Sequence, residues 1–437
     1  MARRPARAPL GVFLNARPVG RLRRLGSGAV EFRYDPGWLG WEHALPISNS
    51  LPLREDRYLG DPVIAVFDNL LPDPEPMRRR IAERIGAEGH DAYSLLARLG
   101  GDCVGALQIL PEGRDPGPAG TVDGKAVDDS RIAEKLRNLA IAPLGLGDDA
   151  EFRISIAGAQ EKTAFLYWNG KWHIPRGTAA TTHIMKPQIG MLPNGTDRSR
   201  SVENEHLCLG LAAALGLPSA ATEIVDFDGE RVLVVERFDR LWTEDGRLLR
   251  LPQEDCCQAL SVPPSLKYDA DGGPGMTDIL DLLRGSDAPG TDRRMFVKAQ
   301  IVFWLLGATD GHAKNFSIFL EPGGRFRMTP LYDVMSAQPA VDAGQLRENG
   351  FKLALAVGDS RRYAIGTTLP RHFAQTAARE GIPARQIDEI CGELSEGAEP
   401  ALETVLKSLP RDFPADLADS IANGFRRRLR LMERALA

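Results

Sequence analysis

The most restrictive stretch of this sequence runs from Ile301 to Asp333. Ile301-Val-Phe-Trp-Leu-Leu306 is apolar and has the length of a buried helix segment. Small and polar residues follow, Gly307-Ala-Thr-Asp-Gly-His-Ala-Lys-Asn315, and then a strand pattern, Phe316-Ser-Ile-Phe-Leu320. A second short strand, Phe326-Arg-Met-Thr329, leads into Pro330-Leu-Tyr-Asp333. A chain with this order buries the helix, leaves the polar loop at the open edge of a lobe, and returns Asp333 after a hairpin.

The chemistry carried by that stretch is specific in its spacing. Asp310 and Asn315 are five residues apart (315 − 310), the separation between the catalytic Asp and the metal-binding Asn of a phosphoryl-transfer loop. Such transfer needs an Asp near the acceptor hydroxyl, hard oxygen ligands for magnesium and a lysine on the nucleotide phosphates. Asp333 supplies the second metal ligand. An Asp-Gly pair at a helix end is also ordinary turn chemistry, and it is the order of Asp310, Asn315 and Asp333 that favours catalysis. His312 stands where protein kinases often carry a lysine and lipid kinases a histidine. It is either a loop histidine or a phosphate contact. Lys314 reads as solvent-facing.

Further upstream, Lys186 ends the strand Thr182-His-Ile-Met-Lys186 and projects as a phosphate-binding lysine would. Its ion-pair partner is expected on the next helix, Val202 to Leu215. Glu205 has the apolar helical neighbours Val202, Cys208 and Leu209, whereas Glu203 sees Arg200 and His206. Glu205 is therefore the expected partner, with a solvated helix carboxylate as the alternative. The small-residue turn in Ile154-Ser-Ile-Ala-Gly-Ala-Gln-Glu-Lys162 can bring backbone N–H groups to phosphate, or it is a plain hairpin. Glu236-Arg-Phe-Asp239 follows an apolar strand and suits a hinge against adenine, with Asp239 near the ribose; an ordinary strand end is the alternative.

Size and charge bound the rest. At 437 residues the chain is long enough for two or three units of ~150 residues. A net charge of −5 and a pI near 5.9 exclude a wholly basic nucleic-acid coat, so DNA contact requires a local patch or a partner. No apolar run reaches the ~20 residues of a membrane span, and the basic start reads as no signal peptide. Cys103, Cys208, Cys256, Cys257 and Cys391 are odd in number and form no C-x-x-C, which suits reduced thiols in a cytoplasm.

The pattern predicts an α+β, bilobal, protein-kinase-like fold. Residues 1–110 form an N-terminal subdomain with a β-meander over 9–35, helices over 61–99 and a buried strand over 102–110. Residues 111–150 are a linker and helix. Residues 151–239 are the kinase N-lobe core, and residues 240–437 a C-lobe that is helical from about 275 onward, broken by a hairpin at 316–331.

These residues together resemble the HipA-type serine/threonine kinases, the toxins of bacterial HipBA toxin–antitoxin modules. The matching stretches are Phe67-Asp-Asn-Leu-Leu-Pro72, Phe152 to Thr163, Thr182 to Lys186, Val235-Glu-Arg-Phe-Asp-Arg240, Arg250-Leu-Pro-Gln-Glu-Asp255, Lys267-Tyr-x-x-Asp-Gly-Gly-Pro-Gly275, Gly307 to Ser317, and Tyr332-Asp333. The resemblance implies ATP and Mg2+ as cofactors, Asp310 as catalytic base, and Asn315 and Asp333 as metal ligands. It implies nucleotide contacts from Ala157, Gly158, Ala159, Gln160, Glu161, Lys162, Lys186, Glu236, Arg237, Phe238, Asp239, His312, Lys314 and Tyr332. Ser155 matches an autophosphorylation serine whose phosphate would repel the ATP-phosphate loop and silence the enzyme. The implied partners are a HipB-like helix-turn-helix antitoxin, operator DNA reached mainly through it, and an aminoacyl-tRNA synthetase substrate such as glutamyl-tRNA synthetase. Phosphorylation of that substrate would stall translation and favour persistence, in a cytoplasmic protein that is nucleoid-associated when bound to antitoxin. The helical region Arg371 to Arg379 resembles the segment that touches DNA in relatives but is less basic than the resemblance leads one to expect. A small-molecule phosphotransferase and a corepressor acting through antitoxin and DNA remain the competing readings.

Overall fold

The computed structural model describes residues 8–146, 154–158 and 160–436. The chain divides into two compact units. One comprises Met1–Pro187, Val225–Ser265 and Ile318–Phe326; the other comprises Gln188–Ile224, Leu266–Ser317 and Arg327–Ala437.

In the first unit, Leu10–Leu14, Arg17–Arg24 and Val30–Tyr34 form the expected meander, extended by Tyr58–Leu59 on one edge and Leu107–Pro111 on the other. Its first turn is tight because Asn15 and Ala16 both hold left-handed backbone, with φ of 43° and 67°. That geometry matches the strand twist. Alternation buries Leu10, Val12 and Leu14 on one face, with Leu22 opposite Leu10, while Val19 is buried at a bulge; helices Asp61–Asp68, Glu75–Arg84 and Ala92–Leu99 belong to the same unit. The strand expected over 102–110 begins only at Leu107. The reason is Gly105, whose φ is 71° and whose N–H goes to the Asp239 carboxylate instead of a neighbouring strand.

The same unit holds five neighbouring strands of a sheet, in the order Glu230–Glu236, His183–Pro187, Thr163–Trp168, Lys171–Pro175, Gly124–Val127. Strand His183–Pro187 lies between two antiparallel partners, with Lys186 opposite Leu233 and Met185 opposite Thr163.

The second unit is mainly helical. Helices Ser201–Ala214, Met276–Arg284, Pro289–Leu306, Pro370–Arg379, Ala384–Ser408 and Ala415–Leu436 pack around Pro289–Leu306, whose residues from Phe296 onward are almost all buried except Lys298. One hairpin, Lys352–Val357 with Arg362–Ala364, departs from the all-helical expectation. Its apolar Leu353-Ala-Leu-Ala-Val357 run has no strand signature of its own. What makes it extended is tertiary: the buried Asp269 carboxylate accepts the Ala356 N–H at 2.8 Å.

Candidate active site

The loop after helix Pro289–Leu306 is held at its root. Gly307 adopts φ 68°, the left-handed cap that only glycine enters without strain, and Ala308 N–H reaches back to Phe303 O at 2.8 Å. The helix's last carbonyls are also taken. Ser336 Oγ donates to Leu306 O at 2.6 Å, and Arg428 Nε donates to Leu305 O at 2.9 Å. Burial pushes the Arg428 guanidinium down to about 9, and the negative end of the helix dipole is its electrostatic counterweight.

From this root the loop folds around Asp310. His312 N–H and the Asn315 side-chain Nδ2 both donate to Asp310 O, at 2.9 and 2.7 Å. Asn315 has thereby used its amide donor on the loop, and its amide oxygen is the atom suited to a hard cation. The Asp310 side chain is 49% exposed, as a group that must meet an acceptor requires. Its Oδ1 accepts a 2.6 Å hydrogen bond from the Tyr268 hydroxyl, and His312 Nε2 lies 3.8 Å from the same oxygen.

Asp333 is brought to the same unit by two ties. Leu331 bridges Ser219, with Ala220 N–H on Leu331 O at 2.8 Å. Tyr332 OH donates to Lys314 O at 2.8 Å and lies 2.6 Å from Ser317 Oγ, linking the segments that carry Asn315 and Asp333. Asp333 itself holds φ 59°, an uncommon conformation for a non-glycine residue and one that concentrates at functional sites. Lys314 differs from its solvent-facing expectation: it is buried in the short turn Ala313–Asn315. Glu203 differs too. Both Glu203 and Glu205 are buried, and Glu203 accepts from Gln188 Nε2 at 2.8 Å.

The segment expected to receive phosphate lies in the other unit. Ser155 is fully buried; its N–H goes to Asp102 O at 2.9 Å and its hydroxyl donates to Leu70 O at 2.7 Å. Gly158 bridges Pro72 in parallel register, and Lys162 Nζ donates to Ala157 O at 2.6 Å. Gln160 Nε2 donates to Pro187 O, next to the buried Lys186, and Glu161 pairs with Arg80 at 2.8 Å. Burial raises the Glu161 carboxyl above its ordinary value despite that arginine. Ala159 lies outside the described residues.

At the expected hinge, Glu236 is exposed and Phe238 meets the Phe319 ring edge-on. Arg237 and Asp239 instead face inward. With Asp102, Arg240 and Arg250 they form a buried charge cluster: Arg237 to Asp239 at 2.8 Å, Arg240 to Asp102 at 2.8 Å and Arg250 to Asp102 at 3.0 Å. Burial opposes both charged carboxylates. The arginines outweigh it, holding Asp102 well below the usual carboxylate range and lowering Asp239 as well. The Asp239 carboxylate, expected near a ribose, is engaged within the fold by Arg237, Arg240 and the Gly105 N–H.

Two family descriptions match the chain. HipA-like C-terminal domain covers residues 154–402 and HipA N-terminal domain covers residues 10–110. The chain belongs to the HipA family of protein kinases. Among similar proteins is Y4mE of Sinorhizobium fredii, described provisionally as a kinase. It is 38% identical over 80% of this chain and 83% of its own length. The serine/threonine-protein kinase toxin HipA of Shewanella oneidensis is 29% identical over 73% of this chain and 72% of its own. The structure of Shewanella oneidensis HipA with HipB and operator DNA has the same fold, with a TM-score of 0.80, 23% identity and 97% of each chain covered.

For this HipA-family kinase the donor set fits a hard divalent ion. Asn315 and Asp333 each offer oxygen, and among the described residues no group of three His, Cys, Asp or Glu is gathered that could hold a metal. Such an ion would complete its shell with phosphate and water oxygens, as magnesium does, and would offset phosphate charge during transfer. Tyr268 lies in the Lys267–Gly275 stretch, and no local pattern there points to its contact with Asp310, which spans 42 positions.

Proposed function

We propose that this kinase transfers the γ-phosphate of ATP to a serine or threonine hydroxyl of a protein, with Asp310 as base, Asn315 and Asp333 holding magnesium, and Lys186 with the 157–162 loop on the nucleotide phosphates. The acceptor is an aminoacyl-tRNA synthetase, with glutamyl-tRNA synthetase the leading candidate, and its modification arrests growth. A HipB-like antitoxin neutralises the enzyme and carries it to operator DNA, and phosphorylation of Ser155 switches it off.

The observation that carries the catalytic part is the tie between Asn315 and the Asp310 carbonyl, together with the hydrogen bonds of Tyr332, the neighbour of Asp333, to Lys314 O and Ser317 in the same loop. The toxin, partner and Ser155 assignments rest on the resemblance to the family. Quantitative phosphoproteomics after expression of wild type and Asp310→Asn tests the reading. Phosphorylated synthetase and phosphorylated Ser155 are expected only in the wild type. Equal phosphorylation in both strains overturns the role of Asp310. Label appearing only in small molecules favours a small-molecule phosphotransferase.

A further inference from the structure

We infer that Tyr268 is a positioning residue for the catalytic carboxylate, fixing which oxygen of Asp310 meets the acceptor hydroxyl. The inference rests on Asp310 being the base. An ionised carboxylate only accepts hydrogen bonds, so the 2.6 Å contact is Tyr268 O–H donating to Asp310 Oδ1. His312 Nε2 is 3.8 Å from that oxygen, too far to do the same work. With Oδ1 engaged, Oδ2 is the oxygen left to take the acceptor's proton. The Tyr268 ring also packs edge-on against His312 with centroids 4.8 Å apart, bracing both loop side chains from one direction.

A positioning group must itself be fixed, and the Lys267–Gly275 segment is built to fix Tyr268. Tyr268 O accepts both Asp271 N–H and Gly273 N–H, at 3.1 and 2.9 Å. This winding requires glycine at 273, because a Cβ there would lie 1.8 Å from Leu266 O. The next residue, Asp269, is buried and held by Arg361 and the Ala356 N–H. Lys267 O accepts from Ala313 N–H inside the catalytic loop itself. The tyrosine's backbone is thus clamped on both sides, so its hydroxyl delivers a defined position rather than a mobile contact.

Tyr268→Phe removes the hydroxyl and keeps the ring. The full-length protein is assayed with MgATP, following ADP formed and γ-label entering the protein, together with thermal unfolding. We expect kcat to fall about 10- to 100-fold, the scale of a misplaced catalytic group, with KM for ATP and the unfolding midpoint unchanged. An unchanged or raised kcat overturns the inference; a raised kcat would make the hydroxyl a block on Asp310 instead. A loss of kcat accompanied by weaker ATP binding and a lower unfolding midpoint also overturns it, in favour of a structural role. Wild-type protein that forms neither ADP nor labelled product removes the reading of Asp310, and this inference with it. Active wild type beside an unaffected variant removes only the role of Tyr268.

Discussion

The Ser155 hydroxyl donates to the Leu70 carbonyl at 2.7 Å from a fully buried position, while its N–H is tied to Asp102 O. A phosphate or carboxylate cannot occupy that site without leaving a buried, uncompensated charge, which costs several kcal/mol. Undocking a few backbone contacts is cheaper. Ser155→Glu is therefore expected to release residues 154–158, seen as faster amide exchange, and to weaken MgATP binding by roughly tenfold or more. Ser155→Ala should keep both protection and affinity. Wild-type nucleotide affinity in Ser155→Glu would sink this coupling.

Asp333, proposed above as a metal ligand, holds left-handed backbone at φ 59°. The two can be separated by substitution. Asn tolerates left-handed geometry at least as well as Asp does, whereas Ala does so less readily. Asp333→Asn should unfold within about 0.5 kcal/mol of wild type yet lose most activity, on the order of 10³-fold. Asp333→Ala should lose the same activity and roughly 1 kcal/mol of stability besides. Urea denaturation beside an ADP-release assay reads both. Equal stabilities for the two variants would remove the backbone argument.

What the sequence made legible follows from the range of the contacts involved. Asp310, Asn315 and Asp333 lie within 24 positions and are placed by one helix end and one hairpin, so spacing alone singled them out as candidates. The meander and the long helices were readable because alternation and helical periodicity are local. Contacts between distant segments were not readable. Tyr268 meets Asp310, Asp239 meets the N–H of Gly105 134 positions away, and Lys314 is buried although its neighbours suggest a surface turn. The buried charge cluster was the largest omission, since nothing in Glu236-Arg-Phe-Asp-Arg240 reveals that Asp102 and Arg250 complete it.

That cluster carries its own prediction. Asp102 and Asp239 face Arg237, Arg240 and Arg250, all nearly inaccessible to solvent. Burial, with repulsion from Arg237, already lowers Arg240 to about 10. Asp102→Asn removes the charge shared by three arginines at nearly constant volume. Breaking a buried pair in this way costs about 3–5 kcal/mol, so the urea midpoint of this unit should fall sharply. The amide of Ser155 should lose protection as well, because its acceptor is the Asp102 carbonyl. A variant as stable as wild type would mean that the arginines are hydrated and that the cluster contributes little.

Glu254 gives a pH dependence of definite sign. It is buried beside Asp255; Asn49 N–H donates to its Oε1 at 2.7 Å, and its Oε2 is buried without a hydrogen-bond partner among the described residues. Burial raises the carboxyl from 4.5 to about 8, more than the Asn49 and Ser48 hydrogen bonds can offset. Below pH 4.5 the folded and unfolded chains both hold the proton, and the group imposes no penalty. Between about 4.5 and 8 the unfolded chain gives up the proton while the folded chain keeps it, so folding loses stability as pH rises, on the order of a few kcal/mol in total. Glu254→Gln does not titrate and has nearly the same shape. Its stability relative to wild type should therefore increase from pH 5 to pH 8, measured as the difference in urea midpoints at the two values. A difference that stays constant across that interval would show Glu254 to be ionised in the folded protein.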